Sequence, residues 1–430
     1  MNSSIFALAS GPGRAGVAVV RVSGPLAEAS LRALAGALPQ PRHGTLRRLA
    51  HRGTEIDHAL LLWFPAPHSY TGEDVAEFHL HGGRAVREAV FSALAELGLR
   101  PAEPGEFSRR AVENGKLDLT RAEAIADLVD AETPAQLRQA LRQHDGVLAD
   151  LYEGWRGRLI AALGRAEAAI DFSDDGVGDA EFADARRAAG EISQEIQEHM
   201  NDAGRGESLR EGLRLTILGP PNAGKSSLIN ALARRDIAIV SDTPGTTRDV
   251  IEARLDLGGY LLLVADTAGV RDTKEPIEAE GVRRALSHAK GGMTLLLLDG
   301  SVDDPRAGLP ADLPEPDLIV WNKADLGFAR EGLSISLKTG EGISMLLKML
   351  QQKVQHKLEN GAPALTRPRH RHALREALAH LQHGLAAPQA QPELLAEDLR
   401  LAMRAIGRIT GAVDVEELLD FVFRDFCIGK

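Results

Sequence analysis

The run Gly219-Pro-Pro-Asn-Ala-Gly224-Lys225-Ser226 has the spacing G-x-x-x-x-G-K-[ST]. In such a loop, glycines let backbone N–H groups turn toward phosphate oxygens, the lysine reaches the β- and γ-phosphates, and the hydroxyl holds Mg²⁺. Asn222, Ala223, Gly224, Lys225, Ser226 and Ser227 are therefore the expected phosphate-binding residues. The pattern requires a strand before it and a helix after it. Leu213-Arg-Leu-Thr-Ile-Leu218 reads as a buried strand, and Ser227-Leu-Ile-Asn-Ala-Leu-Ala233 places Leu228, Ala231 and Leu232 on one helical face. The N-terminus of that helix adds positive potential at the phosphates.

Three later segments choose the nucleotide. Asp266-Thr267-Ala268-Gly269 follows the apolar stretch 260–265. Asp266 can hold Mg²⁺ through water, and Gly269 can offer its N–H to the γ-phosphate. Asn322-Lys323-Ala-Asp325 closes another apolar strand. The Asp325 carboxylate matches the N1–H and N2–H₂ donors of guanine, a pair that adenine lacks, with Asn322 and Lys323 bracing the pocket. Ser336, Leu337 and Lys338 follow a short strand and are expected on the other side of the base. Four short motifs in this order, each at a strand end, indicate a GTPase. Between the first two lies Ser241-Asp-Thr243-Pro-Gly245-Thr246-Thr247, polar and turn-rich, where a switch loop belongs. A threonine hydroxyl there adds to Mg²⁺ only when the γ-phosphate is present, which ties loop order to nucleotide state.

The residue after D-x-x-G is Val270, where Ras-like GTPases carry a water-orienting glutamine. Glu278 is the candidate replacement; the competing reading makes Glu278 and Glu280 solvated helix charges. The side-chain oxygen of Asn222 could coordinate a monovalent cation beside the phosphates, supplying positive charge where other enzymes use an arginine.

The elements that must position these groups fall into four segments over 430 residues. Residues 1–118 alternate strands (Val17–Val22, Ala59–Phe64) with an amphipathic helix (Arg84–Ala95) and read as α+β. Residues 119–210 are helical, with Leu148, Leu151, Trp155, Leu159 and Leu163 as the expected packing stripe. Residues 211–365 form the P-loop GTPase (G) module with a mostly parallel sheet. Residues 366–430 return to helix, with Leu374, Leu378, Leu381 and Leu385 on one face and Leu395, Leu399, Ala402 and Ile406 on another. The G module is thus expected as an insertion in a discontinuous helical domain. A formal charge of −11 argues against broad nucleic-acid binding and leaves room for a local basic patch. The run Thr366-Arg-Pro-Arg-His-Arg-His372 could touch nucleic-acid phosphates, but a solvated interdomain joint is the preferred reading. The single cysteine, Cys427, excludes an internal disulfide. No stretch reads as a signal peptide or a membrane span, so a cytoplasmic location is expected.

The chain resembles the MnmE (TrmE) family of tRNA modification GTPases over essentially its whole length. Beyond the G motifs, the resemblance rests on Gly11–Gly24, Ser69–Gly83, Pro104–Ala111 with Asn114–Leu119 and Glu123–Leu128, and the terminal Phe426-Cys-Ile-Gly-Lys430. It implies an N-terminal domain that binds 5-formyltetrahydrofolate or methylenetetrahydrofolate and forms a homodimer. It also implies a K⁺-using G domain that dimerises during GTP hydrolysis, and a FAD- and NADH-using partner, MnmG (GidA), in a heterotetramer or larger complex. The implied product carries an aminomethyl or carboxymethylaminomethyl group at C5 of the tRNA wobble uridine. Carried over by position, the resemblance places folate contacts on Arg21, Glu77, Lys116 and Lys430. It places K⁺ contacts on Asn222, Ser241, Thr243 and Thr246, Mg²⁺ on Ser226 and Thr247, and catalysis on Glu278. Cys427 is either a nucleophile or a residue packed between Phe426 and Ile428, with the four-residue tail as a folate wall. The competing function is a GTP-dependent assembly or ribosome-maturation switch without modification chemistry.

Overall fold

The computed structural model describes residues 3–430 apart from 172–177, 203, 236, 240–250, 266–291, 308, 311, 312, 360–364, 389, 390, 414, 415, 425 and 430. The chain divides into two compact units, Met1–Ala126 with Gly407–Lys430, and Asp127–Ile406.

The first unit is built on a six-stranded sheet: β1 (Ile5–Leu8), β2 (Ala15–Ser23), β3 (Thr45–His51), β4 (Thr54–Phe64), β5 (Val75–Gly82) and β6 (Arg100–Pro101), in the order β3-β4-β5-β2-β1-β6. Neighbours are antiparallel except β1 and β6. Side chains alternate across each strand. Val20, Val22, Leu61, Trp63, Phe78 and Leu80 therefore point into one core, which α1 (Ala27–Ala35) and α2 (Arg84–Glu96) cover with Leu31, Leu34, Val90 and Leu94. The intervening positions, Arg21 and Glu77 among them, project from the other face. After α3 (Glu106–Glu113) and α4 (Leu119–Asp130), the C-terminal segment of this unit packs Leu419, Phe423 and Phe426 against Leu119 and Ala122.

In the second unit, α5 (Pro134–His144) is followed by the helical pair α6 (Val147–Asp171) and α7 (Gly178–Met200). The buried residues of α6 include Leu148, Tyr152, Trp155, Leu159, Ala162, Ala166 and Ala169; those of α7 include Phe182, Ala185, Ala189, Ile192 and Ile196. Both sets step by three and four, the seam of two helices wound on each other. The expected stripe was partly misplaced: Leu151 and Leu163 are only half-buried, and the buried face runs through Tyr152, Ala162 and Ala166 instead.

The G module has a second six-stranded sheet: β7 (Leu213–Leu218), β8 (Ile251–Leu257), β9 (Tyr260–Ala265), β10 (Met293–Asp299), β11 (Leu318–Asn322) and β12 (Leu333–Ser334), in the order β12-β11-β10-β7-β9-β8. Only the β8–β9 pair is antiparallel. Strand β7 lies between β9 and β10, so the strand order reverses beside it, and the crevice beyond its carboxyl end is where such sheets bind ligands. Helices α8 (Arg205–Glu211), α9 (Lys225–Ala233) and α10 (Ile343–Leu358) complete the module, and Leu228, Ile229, Leu346 and Leu350 share its core with Leu215, Ile217, Leu295 and Leu297.

Where the chain passes into and out of this module it is stapled. Arg371, at the start of α11 (Pro368–Ala386), pairs with Asp202 at 2.7 Å and donates to Met200 O, and Arg367 pairs with Asp127 at 2.5 Å. These two cations of the basic run are engaged within the fold rather than solvated. Helix α5, started by a reciprocal Thr133–Gln136 capping box, meets the β8–β9 hairpin: Ala135 N–H donates to Gly259 O at 2.9 Å, and Arg254 pairs with Glu132 at 2.8 Å. Helix α12 (Pro392–Thr410) buries Leu395, Leu399, Ala402 and Ile406, as its spacing predicts.

Candidate functional site

The glycine loop leaves β7 and enters α9 with backbone that only particular residues tolerate. At Gly219 (φ +152°) a Cβ would stand 2.2 Å from the Leu297 carbonyl oxygen of β10; at Gly224 (φ +104°) it would stand 2.4 Å from Asn322 Nδ2. Asn222 adopts φ 62°, a conformation asparagine accepts more readily than most residues. Lys225 opens α9, and its ammonium donates to Gly219 O at 2.7 Å and Pro220 O at 2.9 Å. The cation thus lies across the mouth of the loop. Ser226 and Ser227 are exposed in the first helical turn, where backbone N–H groups suit phosphate oxygens and the Ser226 hydroxyl oxygen suits the Mg²⁺ those phosphates carry. Among the described residues no group of three or more His, Cys, Asp or Glu could hold a metal ion.

The base-reading loops meet this loop directly. Asn322 is 4% exposed; its Nδ2 donates to Ala223 O at 2.8 Å and its Oδ1 accepts from Leu337 N–H at 3.3 Å. One amide therefore ties the phosphate loop to the 336–338 loop. Ser336, fully buried, donates from Oγ to Asp325 Oδ1 at 2.7 Å and accepts from Thr339 N–H at 3.1 Å. Lys338 lies 3.9 Å from the other Asp325 oxygen. Lys323 adopts φ 68° at the head of a short 3₁₀ turn, and its ammonium donates to Asp299 Oδ2 at 2.5 Å. Burial alone would raise the Asp299 pKa, but its contacts with Lys323 and Ser301 hold it below the usual carboxylate value. Asp299 was not singled out from the sequence. The signal available was its place at the end of an apolar run just before Gly300.

Asn222 to Ser227, Asn322, Lys323, Asp325 and Ser336 to Lys338 thus come together around the ends of β7, β10, β11 and β12. Ser241, Thr243, Gly245, Thr246, Thr247, Asp266, Thr267, Ala268, Gly269, Val270 and Glu278 lie outside the described residues, as does Lys430.

In the first unit, Arg21 and Glu77 are register partners on β2 and β5. Arg21 Nε donates to Glu77 Oε1 at 2.9 Å, and His79 approaches the other oxygen at 3.3 Å. The guanidinium also stands over the Tyr70 and Phe107 rings, at 5.2 and 5.8 Å from their centroids. Each Glu77 oxygen keeps acceptor capacity for a ligand N–H. The stem of Lys116 passes beside Gly72, near the loop that carries Tyr70. The C-terminal tail is anchored to this unit: Cys427 O accepts from Gly105 N–H at 3.3 Å, Ile428 bridges Pro104, and a Cβ on Gly429 would collide with Leu8 O. Cys427 itself is exposed, which overturns the reading of it as packed between Phe426 and Ile428.

Family comparison agrees with this arrangement. The family model for the MnmE helical domain matches residues 119–427, and that for the GTP-binding protein TrmE N-terminus matches residues 4–116. A Rhodospirillum rubrum protein named tRNA modification GTPase MnmE is 53% identical over 453 residues, covering 99% of each chain. One of the same name from Paramagnetospirillum magneticum is 53% identical over 443 residues, covering all of both. The chain belongs to the MnmE family of tRNA modification GTPases. It is accordingly a GTP hydrolase acting in tRNA modification, using Mg²⁺ as GTPases generally do. A GDP-bound NFeoB from S. thermophilus, 16% identical and covering 49% of this chain and 97% of its own, superposes with a TM-score of only 0.22, too slight a likeness to carry an argument. No helix among the described residues is long and apolar enough to cross a membrane.

Proposed function

We propose that this family member is a K⁺-dependent GTPase that works with MnmG (GidA) to install an aminomethyl or carboxymethylaminomethyl group at C5 of the tRNA wobble uridine. The one-carbon unit comes from a tetrahydrofolate. The observation that carries the reading is the base pocket: a buried serine aims Asp325 while Asn322 joins that loop to the phosphate cradle. Guanine N1–H and N2–H₂ would donate to Asp325, Lys225 would leave the loop carbonyls for the β- and γ-phosphates, and Ser226 with Thr247 would hold Mg²⁺. Asn222, Ser241, Thr243 and Thr246 would hold K⁺, and Glu278 would orient the attacking water. The division 1–118, 119–210, 211–365 and 366–430 follows this assignment of roles.

Support for the folate part is the pairing of Arg21 with Glu77 on one sheet face, with the loop residue Tyr70 stacked on the guanidinium. A pterin offers a flat donor edge for Glu77 and an aromatic surface for Tyr70, and its glutamate tail offers carboxylates for Lys116 and Lys430. Cys427, exposed in the tail, is kept as a residue that could face the one-carbon unit. The protein would act in the cytoplasm as a homodimer within a larger complex with MnmG.

The test is titration of the full chain with 5-formyltetrahydrofolate, together with GTP turnover in K⁺ and in Na⁺ and tRNA nucleoside analysis in cells lacking the protein. Folate binding, faster turnover in K⁺ and loss of the C5 group are expected. No folate binding, or equal rates in the two cations, removes the corresponding part of the proposal. Glu278→Ala should keep GTP affinity and lose turnover; weakened binding with normal turnover contradicts its role.

A further inference from the structure

Lys323 poses a physical problem that the guanine pocket does not itself solve. Its backbone is fixed in the left-handed region, but its four-carbon side chain carries considerable rotamer freedom. A lysine that must lie along the pocket each time a nucleotide binds would lose that freedom on binding. Here it is already held. Asp299 closes β10 as the register partner of Asn322, and Gly300 N–H donates to Asn322 O at 3.1 Å, so the two strand ends are locked together. Asp299 Oδ1 accepts from Ser301 N–H at 3.0 Å and Ser301 Oγ at 2.6 Å, which fixes the carboxylate plane and leaves Oδ2 for Lys323 at 2.5 Å. The Asp299 side chain is 15% exposed and that of Lys323 36% exposed, so the pair is partly desolvated and only moderately screened.

We propose that Asp299 is a positioning residue for guanine-nucleotide binding, acting through Lys323 and touching no part of the nucleotide. The inference rests on the reading of 322–325 as the guanine pocket. Asp299 ionised, with its turn made by Ser301, presets the lysine so that binding does not have to order it. The contribution belongs to affinity rather than to base choice, because Asp325 makes the discriminating contacts. Loss of a charge-assisted hydrogen bond that orders one side chain corresponds to an effect of about tenfold.

The experiment is calorimetric titration of the full chain with GDP and with ADP in Mg²⁺, for the parent, Asp299→Ala, Lys323→Ala and the double variant. Asp299→Ala should weaken GDP binding about tenfold, leave the GDP-to-ADP ratio unchanged, and add less than about twofold in the Lys323→Ala background. Asp299→Asn, which keeps the Ser301 turn but turns an amide N–H toward the lysine in place of an acceptor, should lose about as much as Asp299→Ala and serves if the alanine variant fails to fold. A parent-like GDP affinity for both Asp299 variants overturns the proposal. So does an equal loss in both lysine backgrounds, which would mark a merely structural effect. Asp325→Ala tests the pocket separately: an intact preference for GDP over ADP in that variant would remove the pocket reading itself, whatever Asp299 does.

Discussion

The two candidate sites are built on sheets of opposite character. In the first unit, the candidate side chains project from the interior of an antiparallel sheet: Arg21 on β2 faces Glu77 on β5 by register. In the second, they hang from the carboxyl ends of parallel strands, in loops after β7, β11 and β12. A strand-end loop can carry several functional groups in consecutive positions and change without disturbing the ladder behind it. A sheet-face site is assembled from residues far apart in the chain, and the contacts that shape it also hold neighbouring strands together. Where only side chains change, binding and stability should therefore separate at the strand ends and travel together on the sheet face.

The harshest way to break that contrast is to block the backbone. Gly219→Ala drives a Cβ to 2.2 Å from a β10 carbonyl at φ +152°; Gly82→Ala drives one to 2.3 Å from Ala15 O between β5 and β2. Each should cost about 4 kcal/mol. The expected difference lies in ligands: Gly219→Ala abolishes GDP binding, whereas Gly82→Ala leaves it intact. Denaturant melts and GDP titration on both variants check this, and loss of GDP binding by Gly82→Ala would show that the sites are not separable.

Single side chains test the contrast more finely. Asp325→Ala should weaken GDP by about 100-fold or more, roughly 3 kcal/mol, with little change in the melt. Arg21→Ala should weaken folate binding and also cost about 2 kcal/mol of stability, because Glu77, 14% exposed, loses its cation. An Arg21 variant with parent-like stability would mean the sheet face is as expendable as a loop.

Acid probes a region that belongs to neither site. His199 is half-buried against Tyr152 and Trp155, and that desolvation, reinforced by His370, Arg371 and Arg205 against the pull of Asp202, lowers its pKa to about 4. Its folded pKa is below the unfolded value of 6.5, so the unfolded chain binds the proton first. Stability present above pH 6.5 is lost as pH falls toward 4, by about 3 kcal/mol in full. Denaturant melts at pH 7 and pH 5 should show part of this loss, and His199→Gln should flatten the slope; an unchanged slope in that variant assigns the pH dependence elsewhere.

What could be read from the sequence follows the same division. The glycine loop and Asn322–Asp325 declare themselves because their chemistry is contiguous. Even there, spacing could not show that Asn322 accepts from Leu337 N–H or that Asp299 holds Lys323, since those contacts depend on which strands lie side by side. Arg21, Glu77 and Lys116 were reachable only through family resemblance, and Tyr70 and His79, which share their surroundings, were missed because a loop folded over a sheet and a register pair leave no local pattern. In α6 the leucines at 151 and 163 drew the stripe toward the larger side chains, while the seam itself used alanines.

The smallest effect is the most discriminating. Ser336→Ala removes one buried donor to Asp325 and one acceptor for Thr339 N–H. Asp325 keeps its charge, so the preference for GDP over ADP should persist while GDP affinity falls roughly five- to tenfold, about 1 kcal/mol. The melt should move little, because the hydroxyl serves a loop at the end of the sheet. Calorimetric titration of the full chain decides between two accounts of the pocket. If affinity falls and preference holds, Ser336 aims a carboxylate that does the reading. If preference falls with affinity, the guanine pocket extends beyond Asp325 and the loop itself takes part in choosing the base.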